Sequence, residues 1–194
     1  SFLSILFQGL SKDGGLFLPA TWPSISIERL KGKTYEEIAQ IVISPFINKD
    51  ISEGDLSLII NKTYKKFDHE KVAPLVQIDQ NKYILELFYG PTFSFKDYAL
   101  QFLGNLFSHV LQNTNKNITV LGATSGDTGS AAIDAFKGKK DINVFILHPH
   151  KMVSEVQRRQ MTTVDDSNIY NIALEGSFDD CQKIVKTLFL DSEI

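Results

Sequence analysis

The chain has 194 residues, 43% of them hydrophobic, with 20 basic and 23 acidic side chains and a formal net charge of −3 at pH 7. That length suits one domain, or one domain with an appendage, and the absence of a long basic run argues against nucleic-acid binding. One cysteine, Cys181, excludes an internal disulfide framework and points to a reducing, cytoplasmic compartment, and no apolar run approaches the ~20 residues that span a bilayer.

The apolar opening Ser1-Phe2-Leu3-Ser4-Ile5-Leu6-Phe7 has no basic residue ahead of it and no small-residue cleavage site behind it, so it is not read as a signal peptide. Asp13-Gly14-Gly15 marks a turn, with Pro19 and Pro23 nearby. Stretches 35–42 and 55–60 fit short amphipathic helices. Residues 1–80 thus form an N-terminal mixed segment in which no chemistry announces itself.

Residues 81–194 are regular and read as an α/β domain. Tyr83 to Phe88 has the pattern of a strand. Phe95, Tyr98, Phe102, Leu106 and Val110 then recur at helical spacing. Ile118–Leu121 is a second strand, followed by a glycine-rich loop and a helix over 130–136. A third strand, Ile142–Leu147, ends at His148-Pro149, and a helix covers Val153–Met161. Ile169–Leu174 is a fourth strand, and Phe178, Cys181, Val185 and Leu188 mark a last helix. The chain stops at Asp191-Ser192-Glu193-Ile194 with no helix stop signal and starts at serine, so a portion of a longer protein is expected. Short apolar strands alternating with helices predict an open, mostly parallel sheet with helices on both faces. Ligands of such sheets sit in the loops at the carboxyl ends of strands, here 89–97 and 122–130.

The first loop, Gly90-Pro91-Thr92-Phe93-Ser94-Phe95-Lys96-Asp97, places a lysine among aromatic residues at a helix start. Burial and the helix N-terminus both favour the neutral amine that covalent chemistry with a carbonyl needs. A solvated first-turn lysine is the ordinary alternative. In the second loop, Gly122-Ala123-Thr124-Ser125-Gly126-Asp127-Thr128-Gly129-Ser130, three glycines allow a close backbone approach before a helix whose free N–H groups suit an anion. The spacing is neither that of a Walker loop nor that of a dinucleotide fingerprint. The plain alternative is a strand-to-helix turn capped by Asp127 or Thr128.

Leu85-Glu86-Leu87-Phe88-Tyr89-Gly90-Pro91-Thr92 followed by Phe95-Lys96-Asp97 resembles the cofactor-lysine segment of threonine synthases, and 123–132 resembles the next signature of that family. Asp13–Pro19, Val153–Gln157 and Gly176–Gln182 match further segments, in the family's order, over nearly the whole chain. The resemblance implies a partial fold type II enzyme that uses pyridoxal 5′-phosphate, a lyase of threonine biosynthesis acting on the small molecule O-phospho-L-homoserine. Lys96 would hold the cofactor covalently and move protons once freed. Thr124, Ser125, Gly126, Asp127, Thr128 and Gly129 would bind the substrate, with Asp127 also facing the cofactor. Many relatives that make cysteine carry asparagine at the position of Asp127, so this loop favours the threonine synthase branch. The family's Gly-Asn loop for the cofactor phosphate is not found, since Gly104-Asn105 lies inside a helical pattern; residues 1–194 alone are therefore expected to be inactive. A related phospho-lyase releasing 2-oxobutanoate, or an inactive fragment retaining the fold, are the alternatives.

No metal site is expected. His148-Pro149-His150 reads as a strand end, Cys181 as a buried small hydrophobe, and Lys151, Arg158 and Arg159 as a solvated basic face rather than a phosphate grip.

Overall fold

The computed structural model describes residues 1–9, 11–47, 49–112 and 114–190. Helix α1 (Phe2–Leu6) leads into the turn that the sequence marks at Asp13-Gly14-Gly15, where the Asp13 carboxylate accepts from the Gly15 N–H at 3.0 Å and Gly14 takes φ +80°. Helices α2 (Tyr35–Ile47) and α3 (Glu53–Tyr64) follow; both outrun the stretches that periodicity marks. Ser52 caps α3 by accepting from the Asp55 N–H. Terminal residues 191–194, read above for the missing stop signal, lie outside the described residues.

Of the strand expected over 83–88, residues 83–85 form one, and not in the parallel sheet; 86–88 are not strand. Strands β1 (Leu75–Asp79) and β2 (Lys82–Leu85) pair antiparallel as a separate hairpin. A two-residue connection, Gln80-Asn81, leaves an antiparallel partner as the only one in reach, whereas a parallel one needs a long crossover. The hairpin straddles residue 80, where the sequence suggested a change of segment.

Three strands make the parallel sheet: β3 (Ile118–Ala123), β4 (Ile142–Pro149) and β5 (Ile169–Leu174), in that spatial order with β4 central. Helices α4 (Asp97–Gln112), α5 (Asp127–Phe136), α6 (Glu155–Thr162) and α7 (Phe178–Leu190) alternate with them. Strand side chains divide by parity, as a two-residue repeat requires. Ile142, Val144 and Ile146 pack with Phe107, Leu111, Ile133 and Phe136 of α4 and α5. Leu147, Leu121 and Ala123 pack with Cys181 and Val185 of α7. Both sheet faces are therefore covered, as expected for an open parallel sheet, and Cys181 is fully buried as a small core residue. A second cluster, centred on Leu56, Ile60, Tyr64 and Leu106, joins α3 to α4.

Gly104 lets α4 and α5 touch. A Cβ there would stand 2.5 Å from the Ala135 carbonyl oxygen, inside any allowed contact. Gly104→Val should therefore destabilise the protein by about 2–3 kcal/mol, through overpacking against rigid backbone. Chemical denaturation measures it, and a loss below about 0.5 kcal/mol would show that the helices separate freely.

Candidate active site

The loop before α4 is built around a buried carboxylate. Asp97 is inaccessible to solvent, and its two oxygens accept from the Thr92 backbone N–H and hydroxyl, each at 2.8 Å. Gly90 faces the same carboxylate so closely that a Cβ would lie 2.5 Å from it. The chain turns twice within this clamp, Phe93 N–H to Gly90 carbonyl and Asp97 N–H to Ser94 carbonyl, each at 3.0 Å. Phe93 adopts φ +61°, a left-handed conformation that costs an aromatic residue energy and persists because the clamp imposes it.

Lys96 directly precedes α4. Its carbonyl accepts from the Leu100 N–H at 3.0 Å, so it occupies the cap position, one residue earlier than a first-turn placement. The side chain is half-buried, with Nζ over the Phe95 ring at 4.3 Å, a cation–π arrangement.

The second loop enters α5 through Gly126, at φ +145°. The sequence suggested Asp127 or Thr128 as the helix cap; neither fills that role. Thr124 does, from outside the helix: its buried hydroxyl oxygen accepts from the Gly126 N–H at 3.0 Å and the Gly129 N–H at 2.8 Å. The pairing succeeds because β3 delivers Thr124 below the turn, which only the strand's placement decides. Ser125, Asp127 and Thr128 are left exposed, while Gly126 and Gly129 are buried. The Asp127 carboxylate accepts from the Gln157 side-chain amide on α6.

Both loops border one open cleft of about 570 Å³. Leu87, Phe88, Phe93 and Phe95 form an apolar side; Asp127, Ser154, Gln157 and Gln160 form a polar one. Of residues 124–129, only Asp127 lines this space; Thr124, Thr128 and Gly129 border an apolar pocket between α4 and β3 instead. Lys96 stands beside the cleft through its neighbour Phe95 rather than among the lining residues. Sequence reasoning gave Gln157 and Gln160 no role; Gln157 lay in the matching segment Val153–Gln157, and the further signal was position, three apart on one helix face behind the serine cap Ser154.

The weaker candidates are placed plainly. His148 is buried on β4, and among the described residues no cluster of His, Cys, Asp and Glu fits a metal. Arg158 and Arg159 both clasp Glu155, at 2.9 and 2.8 Å, and hold its carboxyl down at about 2. Among the described residues no helix is long and apolar enough to cross a membrane.

Two outcomes follow from this geometry. Thr124→Val strands two buried N–H groups and should cost about 2–4 kcal/mol, at 1–2 kcal/mol each; Asp127→Ala should stay within about 0.5 kcal/mol. Denaturation curves of the two variants compare them, and equal losses would return the cap to Asp127. The second concerns Asp97, whose carboxyl is pushed above its ordinary 3.8, mainly by burial. A native value above the unfolded one gives a contribution complete below the unfolded value and lost as pH rises through the native one. The stability difference between wild type and Asp97→Asn should thus shrink as pH rises above about 3.8 and then level; a difference independent of pH contradicts it.

A family profile described as "Threonine synthase N terminus" matches residues 1–64. Threonine synthase of Pseudomonas aeruginosa is 48% identical over 98% of this chain, which spans 41% of that protein's length. The crystal structure of a PLP-bound threonine synthase from Brucella melitensis superposes over 100% of this chain and 42% of that one, with TM-score 0.91 at 45% identity. Mouse threonine synthase-like 2 stands further off, 33% identical over 98% of the chain and 40% of its own length. Over its whole length the chain matches the N-terminal portion of threonine synthases.

Proposed function

We propose that the protein containing this chain is a threonine synthase, a pyridoxal-phosphate lyase that converts O-phospho-L-homoserine and water to L-threonine and phosphate. The observation that carries the reading is the cleft where the Lys96 loop and Asp127 meet, in a chain 48% identical to a threonine synthase. Identity to mouse threonine synthase-like 2 is lower, 33%, which favours the synthases themselves as the nearer model.

The residues fit the cofactor on its ring and aldehyde side. Lys96 offers a primary amine, Phe88, Phe93 and Phe95 an apolar wall of aromatic size, and Asp127 a carboxylate. Among the described residues no second glycine-rich helix start borders the cleft to receive the phosphate. When bound, the cofactor supplies an electron sink for carbanion chemistry. Lys96 anchors it, and its freed amine takes and returns protons as general base and acid while phosphate leaves from Cγ and water adds at Cβ. Within the 124–129 loop, where only Asp127 lines the cleft, the substrate carboxylate would be received by the N–H groups of Asp127 and Thr128 at the start of α5, which have no intrahelical partner. Asp127, oriented by Gln157, would be the carboxylate turned toward a cofactor ring held in the cleft. A single buried cysteine suits a reducing, cytoplasmic setting.

Borohydride reduction of the full-length holoprotein followed by peptide mapping should place the cofactor on Lys96, and Lys96→Ala should abolish both the label and turnover. Cofactor trapped on another lysine ends the assignment. Product analysis with O-phospho-L-homoserine should give threonine and phosphate in equal amounts; 2-oxobutanoate in its place selects the phospho-lyase.

A further inference from the structure

We infer that Gln157 and Gln160 are positioning residues, through which α6 holds the Asp127 loop and the Lys96 loop at a fixed separation across the cleft. The inference rests on the functional reading above for what the loops do, though not for how they are held.

Two side chains on one face of α6 reach different loops. Gln160 Nε2 donates to the Thr92 carbonyl at 3.1 Å, across 68 residues of sequence. Thr92 is the residue whose N–H and hydroxyl clamp Asp97, so this bond ties α6 to the turn that presents Lys96. Gln157 Nε2 donates to the Asp127 carboxylate. Its Oε1 accepts from the Ser154 hydroxyl at 2.8 Å, which sets the amide the right way round; the reversed amide would aim oxygen at a carboxylate. The same amide lies so close to Gly126 that a Cβ there would force it to move, and the Ser130 hydroxyl lies 3.1 Å from the Gly126 carbonyl and 3.4 Å from the Gln157 carbonyl. Both glutamines line the cleft and are half-buried; the Gln160–Thr92 bond is partly shielded from competing water, whereas the Gln157–Asp127 bond is exposed. The two loops lead into α4 and α5, which pack on each other and are bridged by the Gln101 amide donating to the Asp134 carboxylate at 2.6 Å; the α6 bonds add a link at the mouth of the cleft, beyond that packing.

The test uses the full-length protein with Gln157→Met and Gln160→Met, which keep side-chain length and remove the side-chain amide's hydrogen bonds. Amide exchange on the cofactor-free protein is the first measurement. Gln160→Met should speed exchange over residues 90–97 and Gln157→Met over 124–130, each by about fivefold, the factor one net hydrogen bond of about 1 kcal/mol carries. Exchange in β3–β5 and the thermal midpoint should stay at wild-type values. Kinetics with O-phospho-L-homoserine are the second measurement: Gln160→Met should lower kcat at nearly constant KM, and Gln157→Met should raise KM. Unchanged loop exchange in both variants overturns the inference, as does a uniform rise across the sheet with a falling midpoint. If a methionine variant fails to fold, the asparagine variant, one methylene too short to reach, takes its place in the same measurements. A wild-type protein that exchanges as described but does not turn over O-phospho-L-homoserine would remove the activity reading and leave the brace standing.

Discussion

The candidate site depends on one buried carboxylate. Asp97 has no contact with solvent, and a lone ion there would be costly, yet it lies where the chain must stop, turn twice and enter a long helix. Two hydrogen bonds from Thr92 compensate it, and Gly90 leaves room for it. Once these are made, the backbone from 90 to 97 has little freedom left: Phe93 is held at φ +61°, and Lys96 falls at the cap of α4. The lysine's position is therefore a consequence of its neighbour's burial. An aspartate next to a lysine reads in sequence as a solvated pair, but here the carboxylate turns inward to hold the loop.

The sheet supplies the second half of the site by a different route. Parallel strands with both faces covered deliver every carboxyl end to the same edge, and the parity of β4 sends its side chains alternately to the α4–α5 side and the α7 side. Thr124, at the end of β3, lands beneath the entry to α5 and takes its first free N–H groups. With the turn satisfied from below by a neutral hydroxyl, the charged Asp127 is free to point outward into the cleft and be oriented from α6. A helix capped by Asp127 itself would have had that carboxylate withdrawn from any ligand.

Helix α6 then connects what the chain order keeps apart. Its N-cap Ser154, the amide of Gln157 and the amide of Gln160 meet the two loops from the third side of the cleft. Nothing in the mild net charge of the chain requires this arrangement; it follows from placing β4 centrally, so that the helix after it returns across the mouth of β3.

The sequence by itself determined the type of nearly every element, because apolar residues recurring at 3.6 or 2 positions report which face is buried regardless of partner. It also placed Lys96 at a helix start and the glycine-rich loop between a strand and a helix, and it pointed to the family, since five short segments in one order depend on residue identity alone. It did not determine that the strand near 83 joins β1 in a hairpin outside the parallel sheet, because strand patterning is blind to the choice of partner. Nor did it show Thr124 in place of Asp127 as the cap, the inward turn of Asp97, or the two glutamines of α6 as partners of the loops. The bonds at Thr124 and Asp97 span only two to five residues but depend on which way each side chain turns, and the glutamine bonds span 30 and 68 residues. A hydrogen bond of that kind leaves no local periodicity, so only the tertiary structure decides it.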